Sequence, residues 1–208
     1  MTATLHRLMV TLNHVEPRVQ REIVVPSDLR LDRLHSVLQV AMGWENAHMH
    51  EFLVGGRRNG ARIGVPQPEF AGFGTPVLSQ KRYTLTQIAP AKGAKFEYWY
   101  DFGDDWHHTI RTTAILNADS VPESGRPVCL KARGACPPED CGGPPGYANL
   151  LDILGDPTHP EYEGMKEWVG GDFNPAFVDV DAINGSLAKL SRRWAAKPAT
   201  RRRKAALG

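Results

Sequence analysis

Three aspartates occupy a five-residue stretch near the middle of the chain. Asp101, Asp104 and Asp105 are followed at once by Trp106 and, two positions further on, by His108. Carboxylate oxygens suit a hard cation such as magnesium or calcium, and carboxylates held close together raise the pKa of one member, as a general acid requires. The alternative is a tight turn in which the aspartates accept hydrogen bonds from nearby backbone amides. The spacing leaves both interpretations open.

A second acidic pair lies in a segment bounded by prolines and glycines. Glu139 and Asp140 follow Pro137-Pro138 and precede Cys141-Gly142-Gly143. The prolines stiffen the approach, and the glycines let the chain turn sharply or let a partner come close. Two acids on a stiff loop could form half of a metal site or recognise a ligand rich in hydrogen-bond donors. They could equally stabilise the N-terminus of a following helix, where negative charge is favourable.

The three cysteines are spaced by seven and five residues, at Cys129, Cys136 and Cys141. Zinc prefers four thiolate or imidazole ligands in a tetrahedron, so three thiols and one histidine could close a site. The alternative is a set of ordinary thiols packed under a loop. An odd cysteine count without an export signal favours a reducing compartment, so we expect a cytoplasmic protein.

Two histidines, His48 and His50, stand two positions apart in a short segment with strand-like composition. Alternate residues of a strand point to the same face, so the two imidazoles could ligate one metal ion. The alternative is a pair of partly buried histidines that form hydrogen bonds within the protein.

Charge is divided unevenly along the 208 residues. The chain has 25 basic and 23 acidic residues, but eight of the basic residues follow Asp181, the last acidic one. Residues 1–181 therefore carry 17 basic and 23 acidic residues, a net charge of −6. Four consecutive bases close the tail: Arg201, Arg202, Arg203 and Lys204. They could neutralise nucleic-acid phosphates, or they could form a solvated terminus that keeps the protein soluble.

The N-terminal part of the chain favours a β–β–α opening. Residues 5–15 alternate apolar and polar side chains, Pro17 interrupts the pattern, and residues 19–25 indicate a hairpin partner. A helix with apolar residues at helical spacing follows and should end at Gly43. Residues 48–54 predict another short strand.

The middle of the chain alternates between glycine- or proline-rich stretches and apolar ones. Residues 55–79 predict an irregular excursion, because six glycines and three prolines fall within them. Residues 96–100 and 106–116 predict two strands joined by the aspartate turn. Residues 117–146, with six prolines, predict a long loop, which is typical of functional segments.

Helical patterns dominate the last third. Short helices are expected over residues 147–154 and 161–169. A longer amphipathic helix should dock on the body through four residues at spacings of four, three and four: Ile183, Leu187, Leu190 and Trp194.

Length and composition fit one globular unit, since 41% of the residues are hydrophobic and 23% are charged. We predict a single compact α+β domain over residues 1–190, with a mixed, mainly antiparallel sheet and flanking helices. Residues 191–208 are expected to form a basic, flexible tail. No run of about 18 apolar residues occurs, so we expect no membrane span.

Taken together, the strings resemble those of the Ri-plasmid ORF-3-like family, some of whose members are described as passenger proteins of insertion sequences and carry a resolvase label. The resemblance runs over about residues 5–190 and rests on these strings: Leu34-His35, Met42-Gly43-Trp44, His48-Met49-His50-Glu51-Phe52, Tyr100-Asp101-Phe102-Gly103-Asp104-Asp105-Trp106, Cys136-Pro137-Pro138-Glu139-Asp140-Cys141-Gly142-Gly143 and Phe173-Asn174-Pro175. It implies a compact α+β fold with a mixed sheet and an association with mobile elements, but no reaction. Where the family shows an Ile-Trp-Arg-Arg type of string, this chain has Val19-Gln20-Arg21-Glu22.

The residues favour a non-enzymatic binding or accessory module, because no nucleophile and base stand at a diagnostic spacing. Its acidic, aromatic-lined face would be built by the aspartate turn, the 137–143 loop and the two histidines, and its partner would be a protein or a small ligand. The alternative is a metal-dependent hydrolase or nuclease, in which these carboxylates hold a divalent metal and His107 or His108 transfers protons. Nucleic-acid binding through the basic tail is the third hypothesis.

Overall fold

The computed structural model describes residues 3–56, 60–67, 75–120 and 125–196. The strands are β1 (Thr4–Leu12), β2 (Gln20–Pro26), β3 (His50–Val54), β4 (Ala61–Gly64), β5 (Val77–Ser79), β6 (Lys95–Tyr100), β7 (Trp106–Asn117) and β8 (Val128–Arg133). They form one sheet in the spatial order β5-β4-β3-β6-β7-β1-β2-β8. Neighbouring strands are antiparallel except for the parallel pair β4 and β5.

The helices are α1 (Leu31–Met42), α2 (Leu85–Ile88), α3 (Gly143–Gly155), α4 (Tyr162–Trp168) and α5 (Val180–Ala196). α1 buries Leu34, Val37 and Leu38 in one hydrophobic cluster with residues of the sheet. Burying each such side chain stabilises the fold by about 1.5–3 kcal/mol. The helix ends at Gly43, whose φ of 106° lies in the left-handed region that favours glycine. The predicted α+β domain with a mixed, mainly antiparallel sheet is confirmed.

Two predicted irregular segments contain strands. β4 and β5 lie within residues 55–79, and β8 lies within residues 117–146. β4 and β5 have only four and three residues, too few for an alternating pattern to stand out. β8 is an edge strand with exposed Leu130 and Lys131, so its apolar residues do not mark one buried face. α3 also begins earlier than predicted, because the prolines after Gly143 are tolerated in a first helical turn.

The end of the sheet at β8 is covered by α5. The side-chain amide of Asn184 accepts a hydrogen bond from the backbone N–H of Cys129 at 2.8 Å and donates one to its carbonyl oxygen at 2.9 Å. α5 continues to Ala196, beyond the predicted domain boundary at residue 190, and that boundary stays a prediction. None of the described helices is long and apolar enough to cross a bilayer.

Arg21 connects β2 to the elements around it although it is fully buried. Its Nε donates to the Ala41 carbonyl at 2.7 Å, near the end of α1. Its Nη1 donates to the carbonyls of Gln20, Arg133 and Gly134 at 2.8–3.0 Å. A buried guanidinium is costly unless its donors are satisfied, and here carbonyl oxygens of three segments accept hydrogen bonds from Nε and Nη1.

Replacing Arg21 with methionine should destabilise the protein by about 3 kcal/mol or more, because each buried group left without its partner costs about 1–3 kcal/mol. Urea unfolding followed by circular dichroism measures the change. Arg18, in the same hairpin, is exposed. We therefore expect Arg18→Met to stay within about 0.5 kcal/mol of the unaltered protein. Equal free energies of unfolding for the two variants would contradict a structural role for Arg21.

Candidate cation site

The aspartate turn and the 137–143 loop meet in the folded protein. The Asp104 carboxylate accepts a hydrogen bond from the backbone N–H of Gly142 at 3.1 Å. A Cβ on Gly143 would lie 2.3 Å from the Asp104 carbonyl oxygen, and Gly143 has a φ of 68°. Only glycine fits both the space and the backbone conformation at this position.

The turn between β6 and β7 is built by its own aspartates. Asp101 and Asp105 both have positive φ, at 53° and 61°. The Asp105 N–H donates to the Asp101 carbonyl at 2.7 Å, and Oδ1 of Asp101 accepts hydrogen bonds from the N–H groups of Gly103 and Asp104 at 2.9 and 3.3 Å. One oxygen of Asp101, Oδ1, therefore stabilises the turn as the turn interpretation predicts. The other oxygen, Oδ2, faces His48.

Glu139, like Asp101, accepts hydrogen bonds from the described residues through only one of its two carboxylate oxygens. Its Oε1 accepts a hydrogen bond from the Tyr100 hydroxyl at 3.0 Å and another from the Glu45 backbone N–H at 2.9 Å. Burial and the hydrogen bond to Glu139 raise the pKa of Tyr100 well above its ordinary value, so the hydroxyl keeps its proton and donates it. The second oxygen, Oε2, is buried without a hydrogen-bond partner among the described residues.

His48 is the point on which the carboxylates converge. Its Nε2 lies 3.1 Å from Asp140 Oδ1, 3.5 Å from Asp101 Oδ2 and 3.7 Å from Glu139 Oε2. The same nitrogen is buried and makes no hydrogen bond of good geometry within the described part of the chain. One N–H can serve one acceptor, so a protonated imidazole would leave two of the three carboxylates without a donor at this point.

The spacing of these atoms suits a metal ion. Donors bound at about 2.1 Å lie about 3.0 Å apart in an octahedron and about 3.4 Å apart in a tetrahedron. In the described residues, the one group of three or more such side chains with ligand atoms within 4.8 Å of one another is His48, Asp101 and Asp140. Glu139 is not part of this group, although its Oε2 lies 3.7 Å from Nε2 of His48. Asp140 has a φ of 55° and an exposed carboxylate, so the group opens to solvent.

Trp106 and His108 do not belong to this surface. Both side chains are fully buried, because alternate residues of β7 from Trp106 onwards face the core. Trp106 packs 6.1 Å from the ring of Trp44, and Nδ1 of His108 bonds the Tyr98 carbonyl at 3.0 Å. The prediction that Trp106 and His108 line the acidic face is therefore wrong. Their rings pack in the core beneath that face.

The remaining acids of the turn support the site from outside it. Asp104 anchors the 137–143 loop, and Asp105 Oδ1 lies 3.0 Å from Nε2 of His107. The carboxylates of Asp104 and Asp105 are therefore engaged by the surrounding structure. Neither residue belongs to the group around His48.

His50 lies in a separate buried network. Its ring stacks on that of His35 with centroids 3.4 Å apart and an interplanar angle of 2°, and its Nε2 bonds the Gln80 side chain at 2.8 Å. His35 contacts the Tyr98 hydroxyl at 2.8 Å and the Asn46 side chain. β3 begins only at His50, so the two histidines do not share a strand face, and His48 alone joins the carboxylates.

The three cysteines do not gather as a ligand set within the described residues. Sγ of Cys129 donates to the Lys131 carbonyl at 3.4 Å. Burial raises the pKa of the Cys129 thiol, and it raises that of Cys141 to about 12. Without a fourth ligand gathered around them in the described residues, the three thiols fit the alternative of ordinary packed side chains better. The basic residues Arg201, Arg202, Arg203 and Lys204 lie outside the described residues.

The short connection after α1 contributes to the site in a way that the sequence interpretation missed. The Trp44 indole N–H donates to the Pro137 carbonyl at 3.2 Å, and Glu45 binds Glu139 through its backbone. The Asn46 N–H donates to the Gln39 side chain at 2.8 Å. Hydrogen bonds from backbone N–H groups cannot be predicted from residue type or spacing. Only the family resemblance, which includes Trp44, indicated that this segment matters.

Replacing Gly143 with alanine should separate the turn from the loop, because the new methyl group collides with the Asp104 carbonyl and forces an unfavourable left-handed φ. We expect a loss of stability of about 2 kcal/mol or more. Gly155→Ala, at the other end of α3, is the matched control, since nothing lies within 4 Å of its added Cβ. Thermal unfolding compares the two variants, and equal melting temperatures would rule out a tight contact at Gly143.

Stability should fall between neutral and acid pH because His108 is buried and uncharged. Burial lowers the pKa of His108 to about 3 from 6.5. The unfolded state therefore binds the extra proton between these values, and the free energy of unfolding decreases by up to about 1.4 kcal/mol per pH unit as pH falls through this window. His108→Asn retains a donor for Tyr98 and cannot be protonated. Urea unfolding at pH 7, 6 and 5 should give a smaller pH dependence for the variant, and identical slopes would contradict this role.

Sequence and structure comparisons agree with the resemblance. A family model described as plasmid pRiA4b ORF-3-like protein matches residues 4–182. A relative from Sinorhizobium fredii (strain NBRC 101917 / NGR234), uncharacterized protein y4hQ, is 42% identical over 199 residues, which cover 95% of this chain and 97% of the relative. The crystal structure of the protein of unknown function MM3350 from Methanosarcina mazei Go1 is similar, with a TM-score of 0.73 and 30% identity, covering 87% of this chain and 98% of that one. The chain therefore belongs to the plasmid pRiA4b ORF-3-like family.

Proposed function

We propose that the protein is a binding module that holds a divalent metal ion at His48, Asp101 and Asp140, with Glu139 as a fourth, more distant donor. The observation that carries the proposal is the convergence of three carboxylates on one imidazole nitrogen, at 3.1–3.7 Å. A divalent cation satisfies all of these donors at once, whereas a proton satisfies only one.

The mixture of donors indicates which ions fit. Imidazole nitrogen suits zinc and iron, and carboxylate oxygen suits magnesium, calcium and manganese. A set with one nitrogen and several oxygens is best matched by manganese, iron(II) or zinc. Magnesium should bind more weakly, since it prefers all-oxygen coordination and keeps several waters.

A binding role is favoured over hydrolysis because the expected proton-transfer groups are elsewhere. His108 is enclosed in the core, and His107 is buried with Asp105 near its Nε2. A metal-dependent hydrolase therefore needs a proton-transfer group from Glu139 or Asp140 themselves, which the ion would already occupy. Metal-dependent cleavage of a phosphodiester by the purified protein would restore the hydrolase alternative.

The biological setting of the module is inferred from its relatives. The family takes its description from a plasmid reading frame, which supports an accessory role linked to mobile elements. Its partner would be a protein or a small ligand that recognises the cation-loaded face. Nucleic-acid binding through the basic tail and a cytoplasmic location stay predictions from the sequence.

Isothermal titration with manganese and zinc chlorides tests the proposal. We expect one ion per chain and at least a tenfold weaker Kd for His48→Gln, Asp101→Asn and Asp140→Asn, because each removes a donor of the set. Glu139→Gln should have a smaller effect, because Glu139 lies further from the other donors.

Asp105→Asn is the matched control, since it removes a carboxylate from the same turn that faces His107 instead of His48. Its Kd should equal that of the unaltered protein. Absence of stoichiometric binding, or equal weakening by all four carboxylate variants, would show that the charge of the region attracts ions without a defined site.

A further inference from the structure

A groove with a volume of about 530 Å³ lies between α3 and α4, beside the cation site. Its apolar wall is formed by Leu150, Met165 and Trp168, and its polar rim includes Asp140 and Glu161. Volumes of this size are typical of ligand sites. The groove is therefore large enough to enclose one long side chain or a small molecule.

Trp168 has half of its surface exposed although it is a large aromatic side chain. It lies three positions after Met165 on α4, so the two side chains share the helix face that lines the groove. Exposed tryptophan faces are favourable places for a cation, which the ring attracts electrostatically.

The charge of the groove has one sign. Asp140 and Glu161 are its charged lining residues, and no basic residue of the described chain lines it. Lys166, on the same helix, is bound to Asp172 at 2.7 Å and does not reach the groove. Within the described residues Glu161 makes no ion pair, so its carboxylate is available to a ligand.

We propose that the groove binds an arginine side chain carried by a peptide, with the guanidinium at Asp140 and Glu161 and its flat face on Trp168. A guanidinium is planar, stacks on aromatic rings and donates to carboxylates in a fixed fork, which an ammonium group cannot match. Its three-carbon stem suits the apolar wall. The groove lies on the surface between two helices, so a peptide backbone can pass along its open side.

The variants that test this inference are separate from the metal ligands, because Glu161 and Trp168 lie outside the ligand set of His48. The two sites share only Asp140. Failure of the metal titration therefore leaves the arginine proposal standing, and failure of the arginine test leaves the metal proposal standing.

NMR titration of the full-length, ¹⁵N-labelled protein with the peptide acetyl-Gly-Arg-Gly-amide tests the proposal. The indole N–H signal of Trp168, identified by its loss in Trp168→Leu, should shift with increasing peptide. The same peptide with citrulline in place of arginine keeps the shape without the charge and should bind at least about tenfold more weakly.

Followed by the backbone amide signals of the groove residues, Glu161→Gln and Trp168→Leu should each weaken binding of the arginine peptide by about fivefold or more. Glu167→Gln, an exposed acid of the same helix that does not line the groove, should leave the Kd unchanged. All three positions are on the surface, and a dispersed spectrum verifies folding.

Three results would overturn the proposal. Equal binding of the citrulline peptide would exclude recognition of charge. An effect of Glu167→Gln as large as that of Glu161→Gln would indicate general attraction to an acidic helix. Binding of agmatine, a free guanidinium compound, as tightly as the peptide would identify a small-molecule site instead of a peptide site.

Discussion

Mutual repulsion between carboxylates governs how this site can be built. Asp101, Glu139 and Asp140 come within 3.7 Å of the same nitrogen of His48, which brings like charges close together and opposes folding unless other groups compensate. Asp101 and Glu139 meet this constraint in the same way. One oxygen of each accepts hydrogen bonds from backbone amides or from Tyr100, which fixes the carboxylate, and the other oxygen stays turned towards His48.

The scaffold of the site comes from three distant parts of the chain. The turn between β6 and β7, the 137–143 loop and the connection after α1 are joined by a few hydrogen bonds and by the close approach that Gly143 allows. Beneath them lies a polar but uncharged layer, in which the Tyr98 hydroxyl contacts His35 at 2.8 Å and Gln39 at 2.9 Å. Burial lowers the pKa of His35 to about 3, so this layer adds no positive charge that would compete with a bound cation.

Local patterns made part of this structure predictable. The alternation in β1 and the helical spacing of α1 identified the opening correctly, because each of these two elements buries one regular face. The burial of Trp106 and His108 could also have been predicted. Both lie an even number of positions from the apolar Ile110 on β7, and alternate residues of a strand face the same side. Short elements were missed where their residues are polar or few, as in β4, β5 and β8. The sequence indicated the aspartate turn, the 137–143 loop and His48 as separate parts of the site but not how they are joined. The hydrogen bond from Glu45 to Glu139, for example, spans 94 positions and involves a backbone donor.

The hydrogen bonds of Asn184 have a consequence for self-assembly. An edge strand exposes a row of unpaired amide and carbonyl groups to which another chain can add. At Cys129 the side chain of Asn184 satisfies both groups in the manner of a neighbouring strand, and α5 carries it there. A foreign strand aligning with β8 would have to displace a helix before forming its first ladder bonds. α5 and its Asn184 thereby protect β8 at Cys129 from pairing with a strand of another chain.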